Sequence, residues 1–163
     1  MGRRFAVPFD ITAVTAAAVL WEIAPAANKP IRLHAIFLQQ TSDMGDAAEE
    51  GLGILINRKT GAATTGTGTA ATPQPIDYLG TAASSAATAK VCMSTNGTGG
   101  TTTLVHAEGM NTRGGYERIF PPEEQFQFVA STGATTVGLE VKLSAAPADS
   151  LSFIGTLWFD EEN

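Results

Sequence analysis

The sequence predicts an all-β fold, an antiparallel β-sandwich of the jelly-roll type with long loops rich in Thr, Gly and Ala. Segments in which apolar and polar residues alternate recur along the chain, which is typical of half-buried strands. Gly, Pro and Asn signals separate these segments, and no long amphipathic helical pattern occurs. About eight to ten such strands fit one sandwich, so we place a single domain at residues 1–163.

The first two strands are short and punctuated by proline. Residues 4–9, Arg-Phe-Ala-Val-Pro-Phe, predict an edge strand because Pro8 has no N–H to donate to a central ladder. We therefore assign residues 1–10 to an N-terminal arm or edge strand. Residues 19–23 predict a second strand that ends before Pro25, with Trp21 packed in the core.

The third strand, residues 30–40, has the clearest alternation. Ile31, Leu33, Ala35 and Phe37 are expected to share one face of it. Further strands are predicted at residues 51–58, 90–94, 103–108, 115–120, 125–130, 137–143 and 151–159. In the last two, Val137, Leu139, Val141 and Leu143 are expected to face inward, Glu140 and Lys142 outward, and Trp158 to pack in the core.

Residues 61–103 carry almost no charge and consist largely of Thr, Ala, Gly and Ser. We interpret residues 59–89 as a long loop and residues 160–163 as an acidic tail. Enzymes usually place their chemistry on loops. Small uncharged residues can instead lie flat against a neighbouring surface, which indicates a packing role and a protein that is not an enzyme.

The charge balance limits the partners. Ten basic and sixteen acidic residues give a net charge of −6. An acidic chain repels phosphate, so we expect neither nucleic acid nor an anionic membrane as a partner. The apolar runs are also too short for a transmembrane helix. The single cysteine, Cys92, excludes an intrachain disulfide framework and is expected to be a small buried hydrophobe.

Two groups of residues are candidate sites of chemistry. The acidic loop Asp43–Glu50 has oxygen ligands for Ca²⁺, but it lacks the EF-hand spacing and equally fits a solvated loop. His34 and His106 lie in different strands, and no spacing places a nucleophile and an acid beside either. We therefore predict no catalytic residue, no cofactor and no metal.

Six residues are candidates for a protein interface: Arg3, Arg4, Phe5, Arg113, Tyr116 and Arg118. The first three belong to the N-terminal arm, which would lie across a neighbouring subunit and add a strand to its sheet. The others belong to Arg113-Gly-Gly-Tyr-Glu-Arg, where cations and an aromatic surround two glycines. That segment fits an interface hot spot and a plain hairpin turn equally well.

Four longer stretches carry a family resemblance. They are Leu20-Trp-Glu-Ile-Ala-Pro-Ala-Ala-Asn-Lys-Pro-Ile-Arg-Leu, Gln40-Thr-Ser-Asp-Met-Gly-Asp-Ala-Ala-Glu-Glu, Thr72-Pro-Gln-Pro-Ile-Asp and Ala145-Ala-Pro-Ala-Asp-Ser-Leu-Ser-Phe-Ile-Gly-Thr-Leu-Trp-Phe-Asp-Glu. With them the chain resembles small structural proteins of tailed bacteriophages and prophages, in particular the capsid decoration (cement) proteins. The resemblance implies a jelly-roll or related sandwich, made in the bacterial host cytoplasm and attached as a homotrimer to the major capsid protein on the virion exterior. There it would clamp capsomers against internal DNA pressure.

Two alternatives remain open at this stage. The chain could be a phage tail-tip or fibre head domain that binds a host-surface glycan through Tyr78, Tyr116 and Asp77. The other alternative is a small hydrolase that uses His34 or His106. We expect the protein to show no hydrolytic turnover.

Overall fold

The computed structural model describes residues 2–42, 50–76, 84–130 and 137–162. These residues form two six-stranded antiparallel sheets packed face to face, which confirms the predicted β-sandwich. The described strands are β1 (Arg3–Val14), β2 (Val19–Ala24), β3 (Ile31–Gln40), β4 (Gly51–Thr60), β5 (Thr67–Ala71), β6 (Gln74–Pro75), β7 (Thr88–Thr95), β8 (Thr101–Asn111), β9 (Tyr116–Ile119), β10 (Gln127–Phe128), β11 (Leu139–Leu143) and β12 (Leu151–Glu161). In the described residues there is no apolar helix of the length needed to span a bilayer.

The strand order is that of a jelly roll with an insertion. Sheet A runs β10-β3-β12-β1-β6, and β9 pairs with the same edge of β3 as β10. Sheet B runs β5-β7-β2-β11-β4-β8. Without β5, β6 and β7, the sheets reduce to β9/β10-β3-β12-β1 and β2-β11-β4-β8, the two four-stranded sheets of a jelly roll.

The inserted strands come from the Thr/Ala/Gly-rich segment, so residues 59–89 are not one long loop. Lys59 is still in β4, and Thr88 already belongs to β7. Between them β5 extends sheet B beyond β7, and β6 extends sheet A beyond β1. β-Branched threonines suit a pleated strand, and small neighbours let backbones approach closely. The segment therefore widens the sandwich on one side.

The core lies between the sheets and is rich in aromatics. Phe9 packs edge-on against Trp21 at 4.6 Å between ring centroids. Trp21 is fully buried, and its indole N–H donates to the carbonyl of Val7 at 2.9 Å. The prediction of a core position for Trp21 is therefore correct.

A bulge in β3 changes the face that the strand presents. Leu33 pairs with Phe159 and Ala35 with Trp158, so His34 is the extra residue. An extra residue reverses the two-residue alternation beyond it. Ile36 and Leu38 consequently enter the core, whereas Phe37 faces outward. The expectation that Phe37 shares a face with Leu33 was wrong for this reason.

The first and last described strands, β1 and β12, pair with each other. β1 pairs with β12 along its whole length, from Arg3 opposite Glu161 to Val14 opposite Leu151. The N-terminal arm is thus part of the chain's own sheet. In the described residues, the strand pairing at the other edge of β1 is that of β6 with Phe5 and Ala6, and the edge beyond Ala6 has no paired strand. Of the expected acidic tail, Asp160 and Glu161 are the last two residues of β12. Glu161 is buried and accepts backbone N–H groups of Ala86 and Ala87 at 2.9 Å.

Candidate functional site

The six candidate interface residues lie in two separate places. Arg3, Arg4 and Phe5 are in β1, and Tyr116 and Arg118 are in β9, with Arg113 in the turn before it. β3 and β12 stand between β9 and β1 in sheet A, which separates the two groups by about 14 Å at the usual strand spacing. They do not form one surface.

In β1, the burial of the candidates differs. Arg4 makes a two-pronged ion pair with Asp160 on the outer face of sheet A, at 2.8 and 3.2 Å. Phe5 faces the opposite way, is 1% exposed and stacks on Phe159 with ring centroids 5.7 Å apart. Phe5 is therefore a core residue, and its assignment to an interface was wrong.

Near β9, the candidates join a polar cluster. Tyr116 is buried, and its hydroxyl donates to Glu108 Oε2 at 3.1 Å. Burial and the nearby Glu108 charge raise the pKa of Tyr116 above its ordinary value. Arg118 Nε is 4.0 Å from Glu108, and Arg118 Nη2 is 3.4 Å from Glu124. Tyr116 is too buried for the exposed contact role expected of it, whereas Arg113 is exposed and its N–H closes a turn onto the side chain of Asn111.

His106 completes this cluster; from the sequence it was considered only as a catalytic histidine and was not placed beside Glu108. His106 Nε2 and Glu108 Oε2 are 3.2 Å apart, and this hydrogen bond is the main cause that lowers the pKa of Glu108. The two residues are two positions apart on β8, and residues at that spacing share a face of a strand. That spacing was the available signal for finding them together.

An open cleft of about 390 Å³ lies beside the cluster, between the edges of the two sheets. It is lined by His106, Arg118, Phe120, Glu124 and Phe126 among others. In the described part of the chain, the hydrogen bonds of His34 and His106 go to Gln125 and Glu108, and none joins either ring to a serine or cysteine. The described residues also contain no group of three His, Cys, Asp or Glu side chains able to hold a metal ion.

The proposed calcium loop and two of the glycan candidates cannot be placed. Residues 43–49 lie outside the described residues, as do Asp77 and Tyr78. Glu50, which is described, uses Oε1 to accept the backbone N–H of Ala148 at 2.7 Å.

The outer face of sheet A carries three aromatic side chains and two aliphatic ones beside them. We call this surface the aromatic face, and it consists of His34, Phe37, Trp158, Ile119 and Ile154. Trp158 stacks against His34 at 6.2 Å and packs edge-on against Phe37 at 5.0 Å. Ile119 and Ile154 are 50% and 46% exposed. Trp158 is half-buried on this outer face, so its expected place in the core was wrong.

The outer face of sheet B, by contrast, holds a buried ionic cluster. Glu22, Glu140 and Asn57 are cross-strand neighbours on β2, β11 and β4, and Lys59 follows two positions later on β4. Lys59 Nζ is 2.5 Å from Glu140 Oε2 and 3.6 Å from Glu22 Oε1. All four residues are less than 9% exposed. The sequence pattern placed Glu140 outward, which is its correct face, but gave no sign that this face is covered.

The cover is the chain's own glycine-rich segment. Gly66 N–H donates to Glu22 Oε2 at 2.9 Å, and Lys59 Nζ is 3.5 Å from the carbonyl of Gly97. Thr64 N–H bonds the carbonyl of Thr98 at 2.7 Å and ties the two covering loops together. Small residues of this segment therefore do lie flat against a surface, and that surface is sheet B of the same chain.

The chain was compared with protein-family models, curated proteins and solved structures. No family model, curated protein or solved structure matches the chain.

Proposed function

We propose that this chain is a non-enzymatic structural protein of a virion, a decoration protein that binds the outside of a tailed-phage capsid and bridges its subunits. The observation that carries the proposal is the difference between the two outer faces. Over Glu22 and Lys59 of β2 and β4 the outer face of sheet B is covered by the chain's own loops, whereas sheet A leaves the aromatic face open. An exposed apolar group of this kind marks a surface that another protein covers.

The aromatic face is the attachment surface in this proposal. Its centre is apolar, and the Arg4–Asp160 ion pair and the Arg32–Glu162 ion pair flank it along the sheet. An apolar centre with charged groups at its rim is the usual anatomy of a protein interface. The partners we propose are the major capsid protein and further copies of this chain in a homotrimer, on the capsid exterior.

Two further features support a passive structural role. The net charge of −6 suits the capsid exterior better than contact with packaged DNA. The resemblance to decoration proteins of tailed phages supplies the remaining specificity. The proposal does not depend on the Tyr116 contact, since that side chain is buried.

Copy number per purified virus particle tests the proposal directly. Quantitative mass spectrometry against the major capsid protein should find hundreds of copies, near the number of capsid subunits. A handful of copies would move the protein to the tail or a vertex. Complete absence from the particle would overturn a virion role altogether.

Substitution of the aromatic face tests the attachment surface. The variant Ile119→Ser/Ile154→Ser removes two exposed apolar side chains from sheet A. Leu104→Ser removes one from β8 in sheet B, where Leu104 is 54% exposed, and serves as the matched control. We expect the double variant to lose binding to capsids stripped of the protein and the control to bind normally. Equal binding by both variants would contradict the proposed surface.

One observation favours glycan recognition as a second candidate. Trp158, Phe37 and His34 form an aromatic group on an open face, and aromatic rings stack on sugars as they stack on apolar protein surfaces. A tail-tip or fibre head domain would use that group to bind a host-surface glycan. Low copy number, together with loss of host adsorption in Trp158→Ala, would select this function over decoration.

A further inference from the structure

The ionic cluster under the glycine-rich cover contains an anomaly. Glu22, Lys59 and Glu140 bring two carboxylates and one ammonium together at 5% exposure or less. Glu22 Oε1 is buried without a hydrogen-bond partner, although Glu22 Oε2 accepts the N–H of Gly66. Burial of charges is costly unless every group is paired. The ion-pair partner of Oε1 is the ammonium of Lys59, 3.6 Å away and beyond hydrogen-bond distance.

We propose that Lys59 and Glu140 are the reactants of an intramolecular amide bond that joins β4 to β11, with Glu22 as the proton carrier. The amine and the acid lie on adjacent strands, with Lys59 Nζ 2.5 Å from Glu140 Oε2. Groups held in such contact react as if at very high concentration, with effective molarities of about 10⁵–10⁸ M in well-oriented cases. The product is a neutral amide, which also removes two buried charges.

Each neighbour has a place in the reaction. The ammonium of Lys59 passes one proton to Oε2 of Glu140, leaving a neutral amine and a carboxylic acid. The amine then attacks Cδ of Glu140, and the C–N bond forms while negative charge collects on Oε1. Asn57 Nδ2 already donates to that oxygen at 2.9 Å and would stabilise this charge.

The second proton leaves through Glu22. The nitrogen of the tetrahedral intermediate gives it to Glu22 Oε1, and Glu22 delivers it to Oε2 of Glu140. The C–Oε2 bond breaks, and Oε2 departs as water with both protons. Ammonium and carboxylate thus become amide and water, and Glu22 ends as the carboxylate it was at the start. No oxidant, metal or activated group is required.

Intact mass measurement of the purified, folded protein tests the bond. The wild type should be lighter than its sequence mass by one water molecule. After trypsin digestion, acylated Lys59 is not cleaved, so peptide 59–90 should be found joined to peptide 119–142. Lys59→Arg keeps the positive charge without a reactive amine and should show the full sequence mass.

Glu22→Gln separates the chemistry from the packing. It keeps both reactants but removes the proton carrier. Most or all molecules of the folded variant should therefore show the full sequence mass, without the loss of water. Folding of each variant is checked by circular dichroism. Full sequence mass in folded wild type overturns the proposal. A cross-link between other residues, or loss of ammonia mapped to Asn57, overturns the assignment to Glu140. A complete cross-link in Glu22→Gln overturns the role of Glu22.

Discussion

Gly97 lies directly over Glu22, and the gap between them admits no side chain. A Cβ on Gly97 would come within 2.9 Å of Glu22 Oε1 and 2.1 Å of the carbonyl oxygen of Thr64. Because the backbone oxygen belongs to the other covering loop, neither neighbour can move without opening the cover. The smallness of the residues in this segment is thus a packing requirement of the ionic cluster.

Gly97→Ala should therefore destabilise the fold. Overpacking of this kind costs about 1–3 kcal/mol in the free energy of unfolding. Gly109 of β8 provides the control, since a Cβ there meets no atom within 4 Å. Urea denaturation should show a lower free energy of unfolding for Gly97→Ala and an unchanged or slightly higher one for Gly109→Ala. Equal stability of the two variants would contradict the tight cover.

The sequence was sufficient for the class of fold because strand alternation is a local signal. Residues 19–23 and 137–143 were predicted as strands, and they contain β2 (Val19–Ala24) and β11 (Leu139–Leu143) of sheet B, the second strand beginning two residues later than predicted. Which strands pair is not local: β1 pairs with β12, more than a hundred residues later. The stretch that holds β5 and β6 was interpreted as loop for the same reason, since these strands exist only where β7 and β1 offer open edges.

The site was less predictable than the fold, because burial of outward-facing residues depends on what covers them. Glu22 and Glu140 alternate with core residues, as any solvent-facing carboxylate on a strand would. Their burial follows from loops tens of residues away. The bulge at His34 is a second case, since one extra residue in β3 turned Phe37 toward the aromatic face.

His34 gives the stability a dependence on pH. Burial is the main cause that lowers the pKa of His34, with Arg4 second and Asp160 opposing. The side chain of Gln125 lies 3.0 Å from Nδ1 and donates to it when the ring is neutral. The unfolded state consequently binds a proton more readily than the folded state. The stabilising contribution of neutral His34 is complete above the unfolded pKa of about 6.5 and is lost as pH falls toward the lower folded pKa.

Urea unfolding of wild type and His34→Gln at several pH values between pH 7.5 and 5 measures this effect. The free energy of unfolding of the wild type should fall as pH decreases. The decrease should be smaller in His34→Gln, which cannot take up the proton. Parallel curves for the two proteins would show that His34 does not contribute.

Cys92 should be a slow nucleophile. Burial, with the charge of Asp10 as a lesser cause, raises the pKa of the Cys92 thiol to about 11. Relative to the ordinary value of 9.0, thiolate at pH 8 is reduced about 100-fold. The rate of alkylation by iodoacetamide should be correspondingly lower in native than in urea-unfolded protein and should still be rising at pH 9.5. A native rate that levels off near pH 8 would contradict the raised pKa.

Pro8 should protect the open edge of β1 from self-association. The carbonyl of Arg4 accepts Ile76 N–H on the side away from β12. Backbone groups two and four residues later point the same way, so the nitrogen of Pro8 faces this edge, beyond the two residues that β6 covers. A residue without an N–H there leaves an incoming strand one hydrogen bond short, which is a known means of protecting an edge strand from pairing.

Pro8→Val restores the donor and adds β propensity. Exposed Pro122→Ala, in the turn after β9, serves as a control away from any strand edge. Size-exclusion chromatography with light scattering over a concentration series should show larger species for Pro8→Val than for the wild type, and none beyond wild type for Pro122→Ala. If Pro8→Val and wild type elute alike at every concentration, the edge is closed to strand addition by something other than this proline.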